Sequence, residues 1–202
     1  MTEPGFFDVV LGQRACRSFT DDEVGDDDLV RMLEAAVHAP SAENAQPWLF
    51  VVVRDPARRA AIAELTRRLW EDQARAHAEA RLDRRLFGEV DRATATGFGG
   101  APVLVVAAGD TRAGTARRAL PSSVLPAVQN LLLAAAALGY GSALTTLAAM
   151  AGPELRSLLD LPEGVEPLAV VPIGRPARPL GPPRRLPVAA KAHRERYGQP
   201  FG

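Results

Sequence analysis

The chain has 202 residues, of which 47% are hydrophobic and 24% charged, and its formal net charge is zero. This length fits one domain with a substantial core, and the balanced charge excludes the general electrostatic footprint of a nucleic-acid binder. The single cysteine, Cys16, excludes an intramolecular disulfide framework and a thiolate-built metal site.

The first residues, MTEPGFFDVVLGQR, lack a basic segment followed by an apolar run, so we expect no signal peptide. The most apolar stretch, 124–139, is interrupted by Gln129 and Asn130 and is shorter than the roughly 20 residues that cross a bilayer. We therefore expect a cytoplasmic protein without nucleic-acid or membrane partners. The three histidines match no metal-ligand spacing, and no metal is expected.

Apolar residues recur at helical spacing over 26–39, behind a cluster of aspartates that suits a helix N-terminus. Pro40 ends this helix, and a polar loop leads to a buried strand over 48–53. Asp55-Pro56 then predicts the start of one or two helices that extend to about residue 93.

A second buried strand is predicted over 101–107, followed by a hydrophobic, central helix over 122–138. An extended segment over 142–147, a short helix over 153–159 and a strand over 167–173 complete the pattern. Helices that alternate with buried strands indicate a sheet covered by helices, in an α/β or α+β fold.

Prolines follow the last strand at positions 176, 179, 182, 183 and 187, and they resist both helix and central strand. The sequence therefore divides into a domain over 1–174 and a proline-rich arm over 175–202. The arm has no core of its own and must lie on another surface, for which a partner subunit is the natural candidate.

Two arginine pairs suit a phosphate group. A helical turn would place Arg14 and Arg17 on one side, where their forked donors could share an anion. Arg184 and Arg185 could complete the site if the arm folds back. Taken alone, such pairs are more often solvated surface residues.

Two polar segments suit a flat, polar-edged ligand. The loop within 39–48 presents Ser41, Asn44 and Gln46, whose hydroxyl and amides both donate and accept hydrogen bonds. The segment 139–147 combines small residues with Thr145 and Thr146. The alternatives are a turn that satisfies its own backbone and an ordinary strand.

Together these motifs resemble the nitroreductase superfamily over nearly the whole chain. The resemblance rests on R-x-x-R-x-F (14–19), A-P-S-x-x-N-x-Q-P-W (39–48), A-P-V-L-V-V (101–106), P-A-x-Q-N-L-L-L-A-A-x-A-L-G (126–139), L-T-T-L (144–147), P-I-G-x-P (172–176) and G-P-P-R-R (181–185).

The resemblance implies an α+β sandwich with a central mixed sheet covered by helices. It also implies an intertwined homodimer, with an extended C-terminal arm and one FMN at each of two interface sites. Arg14 and Arg17 would bind the phosphate and ribityl side, with Arg17 closest to the N1–C2 carbonyl region. Arg184 or Arg185 would close on the phosphate.

Further site residues follow from the same resemblance. The partner subunit would contribute Pro40, Ser41, Asn44 and Gln46. Thr145 and Thr146 would lie near N5 and the C4 carbonyl. Three aromatic residues fall in the region that covers the flavin in this family, where they either line the substrate slot or pack as core: Trp70, Phe87 and Phe98.

The first motif departs from the family pattern. Gln13 and Ala15 stand where many members have an arginine and a serine, so one charged and one hydroxyl contact to the phosphate are missing. Either FMN binding is weakened, or Arg184 and Arg185 compensate.

The implied activity is ping-pong hydride transfer from NAD(P)H through flavin N5 to a small electrophilic acceptor such as a nitroaromatic or a quinone. No catalytic side chain is required, because the flavin carries the redox chemistry. The glycines at 97–100 do not match the dinucleotide-binding spacing, so nicotinamide use follows from the resemblance alone.

Three alternatives stay open at this point. One is a related flavin enzyme, such as a dehalogenase, a dehydrogenase of a cyclic intermediate, or an enzyme of oxygen-dependent flavin breakdown. The second is a flavin-binding or storage protein without turnover. The third is an interaction module that has lost the cofactor.

Overall fold

The fold is built on an antiparallel sheet. A computed structural model describes residues 4–114 and 116–201. Within them, four strands pair in the order β1-β2-β4-β3: β1 (Trp48–Val53), β2 (Val103–Asp110), β3 (Gly141–Ser142) and β4 (Val165–Gly174). Each neighbouring pair is antiparallel. The expected mixed character enters through a parallel bridge from Ala15 to Ser142 at the β3 edge.

Seven α-helices are found in the described residues. They are α1 (Phe6–Gly12), α2 (Asp26–Val37), α3 (Pro56–Leu69), α4 (Arg75–Arg81), α5 (Arg84–Ala95), α6 (Leu120–Ala137) and α7 (Gly152–Leu158). The predicted α+β class is therefore confirmed. The helix at the N-terminus, α1, was not predicted from the sequence.

The central strand β2 is buried on both faces, which explains its unbroken apolar sequence. Side chains alternate across a strand, so Val103 and Val105 pack on the side of α2 and α6, whereas Leu104 and Val106 pack on the side of α3 and α7. The result is a three-layer arrangement with one apolar core on each side of the sheet.

Helix α6 is the central helix that its composition predicts. The helical stretch Arg117–Ala137 is long and apolar enough to cross a membrane, but only by length and composition. Eight of its residues are buried, and α6 packs against α2 and against the sheet. This burial is typical of the core helix of a globular fold.

Helices α4 and α5 form an antiparallel pair, here called the lid hairpin (75–95). The region predicted as one or two helices therefore contains three, α3, α4 and α5. A π-helical turn, Trp70–Ala74, joins the lid hairpin to α3. Helix α5 has a strongly amphipathic sequence yet contributes no fully buried residue. The lid hairpin is therefore attached at the side of the core.

The segment predicted to be extended over 142–147 is shorter than expected. Only Gly141 and Ser142 pair as β3, and Thr145 adds one isolated bridge to Val170 of β4. A 3-10 turn follows, beginning at Ala148.

Candidate functional site

A cavity of about 400 Å3 lies between α5, the segment 14–18 and the segment 177–181; we call it the arginine cavity. Its charged lining residues are Arg14, Arg17, Arg85, Arg92, Arg178 and Glu89. Five positive charges against one negative charge leave a net charge of +4 among these residues. Such a cavity is suited to a multiply charged anion.

The segment that carries Arg14 and Arg17 is extended. Ala15 bridges Ser142, and the Cys16 amide donates to the Ser142 carbonyl over 2.9 Å. The helical turn proposed for the two arginines is therefore wrong, because the backbone groups of this segment pair with β3 instead. Both arginines nevertheless line the cavity, and Ala15 lies between them.

Two glycines allow this segment to lie close to the rest of the site. A Cβ on Gly141 would lie 2.7 Å from the Cβ of Cys16, and a Cβ on Gly99 would lie 2.2 Å from the Arg17 carbonyl oxygen. Gly99 also has a φ of 70°, which glycine adopts without steric cost. Larger residues at either position would displace the arginine-bearing backbone.

The second side of the cavity comes from the beginning of the arm. Phe19 bridges Pro176, and the Ala177 amide donates to the Ser18 carbonyl over 3.0 Å. This pairing places Arg178 beside Arg17. The arm therefore begins by packing on its own chain.

Glu89 lies among the arginines. Its carboxylate accepts a hydrogen bond from Arg178 over 2.9 Å and from Arg85 over 3.3 Å, and lies 4.0 Å from Arg17. Burial alone would raise the pKa of Glu89, but Arg85 and Arg178 outweigh it, and the pKa lies below its usual value. Burial lowers the pKa of Arg17, partly offset by Glu89. Both groups remain charged at neutral pH.

A second cavity of about 260 Å3 lies on the other side of Arg14, between α1 and the segment that follows α6. Asp8, Gln13 and Tyr140 are among its lining residues. Arg14 and Leu180 line both cavities, so they form the wall between them.

The predicted loop that follows Pro40 lies outside both cavities. Ser41 Oγ accepts a hydrogen bond from the backbone amide of Gln46 over 3.0 Å, and Gln46 Nε2 donates to Asn44 Oδ1 over 3.4 Å. Glu43, Asn44 and Gln46 have φ values of 53°, 54° and 48°. The loop thus holds an uncommon conformation and presents exposed amides to the surface.

The other predicted polar residues are also outside the two cavities. Thr145 exchanges backbone hydrogen bonds with Val170, while Thr146 is exposed. Arg184 and Arg185 are exposed in the arm, where Arg185 donates to the Arg184 carbonyl. Of the arginines that follow β4, Arg178 lines the arginine cavity of its own chain, whereas Arg184 and Arg185 do not.

The three aromatic residues proposed for the substrate slot lie on or beside the lid hairpin: Phe87 is on α5, and Trp70 and Phe98 come just before and just after the hairpin in the chain. Trp70 is 7% exposed and donates from Nε1 to Asp91 over 2.9 Å, and its ring lies 6.3 Å from that of Phe87. Phe98 is 8% exposed within the core on the α3 side. In this chain, Trp70 and Phe98 pack as core.

Cys16 and His38 make contacts that stabilise the fold and line neither cavity in a reactive form. Cys16 is 1% exposed, and burial raises the pKa of its thiol, so it is a packed side chain and not a thiolate nucleophile. His38 follows the end of α2, where its Nδ1 lies 2.7 Å from the Glu34 carbonyl oxygen.

The cavity residues that sequence reasoning missed are Arg85, Glu89, Arg92 and Arg178. Arg85 and Arg92 lie in a stretch where arginine is frequent, so their type carried no signal. The spacing of Arg85, Glu89 and Arg92 over two helical turns does place them on one face, and this pattern was available from the sequence.

Three comparisons relate the chain to known proteins. The model of the nitroreductase family matches residues 10–175. A protein of Archaeoglobus fulgidus, provisionally named NADH dehydrogenase/NAD(P)H nitroreductase, is 30% identical over 83% of each chain. The FMN reductase [NAD(P)H] of Bacillus subtilis is 31% identical, over 91% of this chain and 71% of its own length.

A solved structure relates the chain to the same family. A provisionally named nitroreductase from Desulfovibrio desulfuricans, solved in complex with FMN, superposes with a TM-score of 0.75 and 28% identity. The match covers 97% of this chain and 99% of that chain.

Proposed function

The chain belongs to the nitroreductase family, and from this premise we propose that it is an FMN-dependent oxidoreductase. It takes hydride from NADH or NADPH and passes it to a small electrophilic acceptor such as a nitroaromatic or a quinone. The observation that carries the proposal is the arginine cavity, in which Arg14 and Arg17 of the family motif lie beside Arg178. The names of the FMN reductase and of the FMN-bound structure support the same cofactor.

The residues of the cavity fit the phosphate end of FMN. Guanidinium groups form charge-assisted, often bidentate hydrogen bonds to phosphate, each contributing about 1.5–3 kcal/mol. Arg178 supplies a positive charge to a first motif that has Gln13 in place of an arginine. The proposed phosphate ligands are therefore Arg14, Arg17 and Arg178, with Arg184 or Arg185 available from the exposed arm.

The remaining proposed contacts need a second copy of the chain. Ser41, Asn44 and Gln46 lie outside the arginine cavity of their own chain and are accessible at its surface. In the proposed homodimer, this loop and Pro40 reach the flavin of the partner. Thr145 and Thr146 lie toward the N5 and C4 carbonyl side.

Bound FMN supplies the hydride acceptance and donation at N5. The chain's own residues bind and orient it. Arg17, half-buried, would bind the phosphate and ribityl side and would lie closest of these arginines to the N1–C2 carbonyl region, where a positive charge favours reduced flavin. Since no side chain must transfer a proton in the hydride step, we propose no catalytic acid or base.

The nicotinamide and the acceptor use the same slot in turn, which gives ping-pong kinetics. Phe87, half-buried on the lid hairpin, is the aromatic residue best placed to border this slot after a small movement of α5. Trp70 and Phe98 support it from the core side.

The arm from residue 182 onward packs on the partner in the proposed dimer. Leu186, Val188 and Tyr197 are 65%, 71% and 93% exposed on the single chain, which is unusual for large apolar or aromatic side chains in a finished assembly. Residues 177–181, at the beginning of the arm, line the arginine cavity of their own chain.

The test begins with the purified protein, which we expect to carry FMN with the visible absorbance of a flavin. Under anaerobic conditions NADH or NADPH should bleach this absorbance, and a nitroaromatic or quinone should restore it, with parallel lines in double-reciprocal plots. The Arg17→Gln variant should bind FMN at least tenfold more weakly, since one charge-assisted contact is lost. Arg58→Gln, remote from the cavity on α3, is the matched control.

Two outcomes would contradict the proposal. Bound FMN that neither nicotinamide reduces would indicate a storage protein. A chain that binds no flavin at all would indicate an interaction module.

A further inference from the structure

Glu89 places a negative charge in a cavity that we propose binds a phosphate, and the proposed cofactor does not explain this charge. Its carboxylate is the one acidic group among the described lining residues of the arginine cavity, and its side chain is 11% exposed. It lies within 4.0 Å of Arg17, Arg85 and Arg178, which come from three different segments of the chain. A carboxylate held in this way occupies the kind of position that one face of a phosphate would take.

The phosphate and the carboxylate compete for the same donors. Arg17 and Arg178 are both proposed phosphate ligands, and both lie beside Glu89. A phosphate within the cavity would also be repelled by the charge of Glu89 at close range, in a partly buried site where screening by water is weak.

Glu89 also ties the lid hairpin to the rest of the chain. Helix α5 contributes no fully buried residue. Its link from Glu89 to Arg17 reaches the first motif, and its link to Arg178 reaches the arm. Release of these two arginines would loosen α5 next to the proposed substrate slot.

We propose that Glu89 is a specificity-determining residue that acts as an internal competitor of the cofactor's phosphate. Without a phosphate it holds Arg17 and Arg178 in the cavity; when the phosphate enters, it gives them up and α5 is released. Glu89 thereby sets how strongly the site distinguishes FMN from riboflavin, which lacks the phosphate. The part of this inference that concerns flavins rests on the proposed function. The competition of Glu89 with anions does not depend on it.

The first experiment compares flavin binding by the apoprotein and by Glu89→Gln, which keeps the shape of the side chain and removes the charge. The Kd for FMN should fall about tenfold, from the loss of one charged competitor, whereas the Kd for riboflavin should stay the same. Glu79→Gln, an exposed glutamate of the same hairpin outside the cavity, is the matched control and should change neither value. Weaker FMN binding by Glu89→Gln, or an equal change for both flavins, would overturn the proposal.

The second experiment uses inorganic phosphate and the unmodified apoprotein, so it does not depend on a variant that folds. Phosphate should accelerate amide hydrogen exchange in α5 while it raises the Tm of the protein. Slower exchange in α5 would overturn the proposal, because Glu89 would then organise the arginines for the phosphate.

The two experiments separate this inference from the proposed function. If neither flavin binds, the proposed function fails. The phosphate measurement still decides whether Glu89 competes with anions.

Discussion

Asn44 and its neighbours show strain at the scale of single residues. Three residues without glycine's freedom, Glu43, Asn44 and Gln46, have positive φ values within four positions. Such conformations cost about 1 kcal/mol or more each, and they are found most often where a binding surface is held in place. The backbone conformation of the loop therefore adds a modest cost to the free energy of the folded chain.

Asn44→Gly tests this interpretation. Glycine accepts the same φ, so its entropic cost and the relief of strain should offset each other, and the free energy of unfolding should change by less than about 1 kcal/mol. The lost amide should nevertheless raise the Kd for FMN about fivefold, the value of one hydrogen bond. Thermal unfolding and flavin titration measure the two effects.

Glu43→Gly is the matched control, because Glu43 has nearly the same φ and no proposed contact with the flavin. It should bind FMN like the unmodified protein. Unchanged FMN binding by Asn44→Gly would show that the Asn44 side chain does not contact the flavin.

Residue types predicted part of the candidate site. Arg14 and Arg17 were recognised from their motif and do line the cavity. Arg178 was not recognised, because its position beside Arg17 depends on the pairing of residues 18–19 with residues 176–177, about 160 positions later in the chain. No local pattern encodes such a contact.

At the scale of elements, a cluster of side chains around Asp91 joins the lid hairpin to the end of α3. Trp70 and Arg75 both donate to Asp91, and Arg75 lies over the Phe87 ring at 5.4 Å. The π-helical turn where the hairpin leaves α3 is a type of irregularity that is frequent at functional sites. We infer that this cluster controls how readily α5 moves.

Trp70→Phe removes the indole donor and should release the hairpin locally. Hydrogen exchange of the amides in α5 should become about tenfold faster, while that of β2 and β4 stays unchanged, because one hydrogen bond to a charged group is lost. Asp91→Asn is the comparison, since an amide oxygen can still accept from Trp70. Equal exchange in α5 before and after Trp70→Phe would mean that other contacts hold the hairpin.

Most elements were predictable because their patterns are local. The strand 48–53 and the start of α3 at Pro56 were predicted at their observed positions, the latter from the capping side chain of Asp55. Helix α1 was missed because its seven residues make only two turns, too few for a helical period to be recognised. The short β3 was overestimated because pairing partners, and not residue type, decide where a strand ends.

At the scale of the whole molecule, most apolar side chains of α1 are exposed on the single chain, which does not bury them. Phe6, Phe7 and Leu11 are 69%, 73% and 69% exposed, and no residue of α1 is buried. Large exposed apolar patches mark interaction sites. The family, together with this surface, supports the proposed homodimer.

Leu11→Glu should therefore weaken the dimer, since a charge would be buried in an apolar interface. Sedimentation velocity should show a larger fraction of monomer at micromolar concentration, and the monomer should retain less FMN. Leu11→Met, which keeps the apolar surface, should behave like the unmodified protein. A Leu11→Glu protein that stays dimeric and fully loaded with flavin would place the interface elsewhere.

The strand order also has a consequence for biosynthesis. Strand β4 lies between β2 and β3, and Arg178 follows directly after it. On a growing nascent chain, β2 therefore keeps an open edge until β4 has left the ribosome, and β3 has no strand to join. The arginine cavity forms later still, because Arg178 follows β4, and premature termination before residue 165 would leave an aggregation-prone sheet edge.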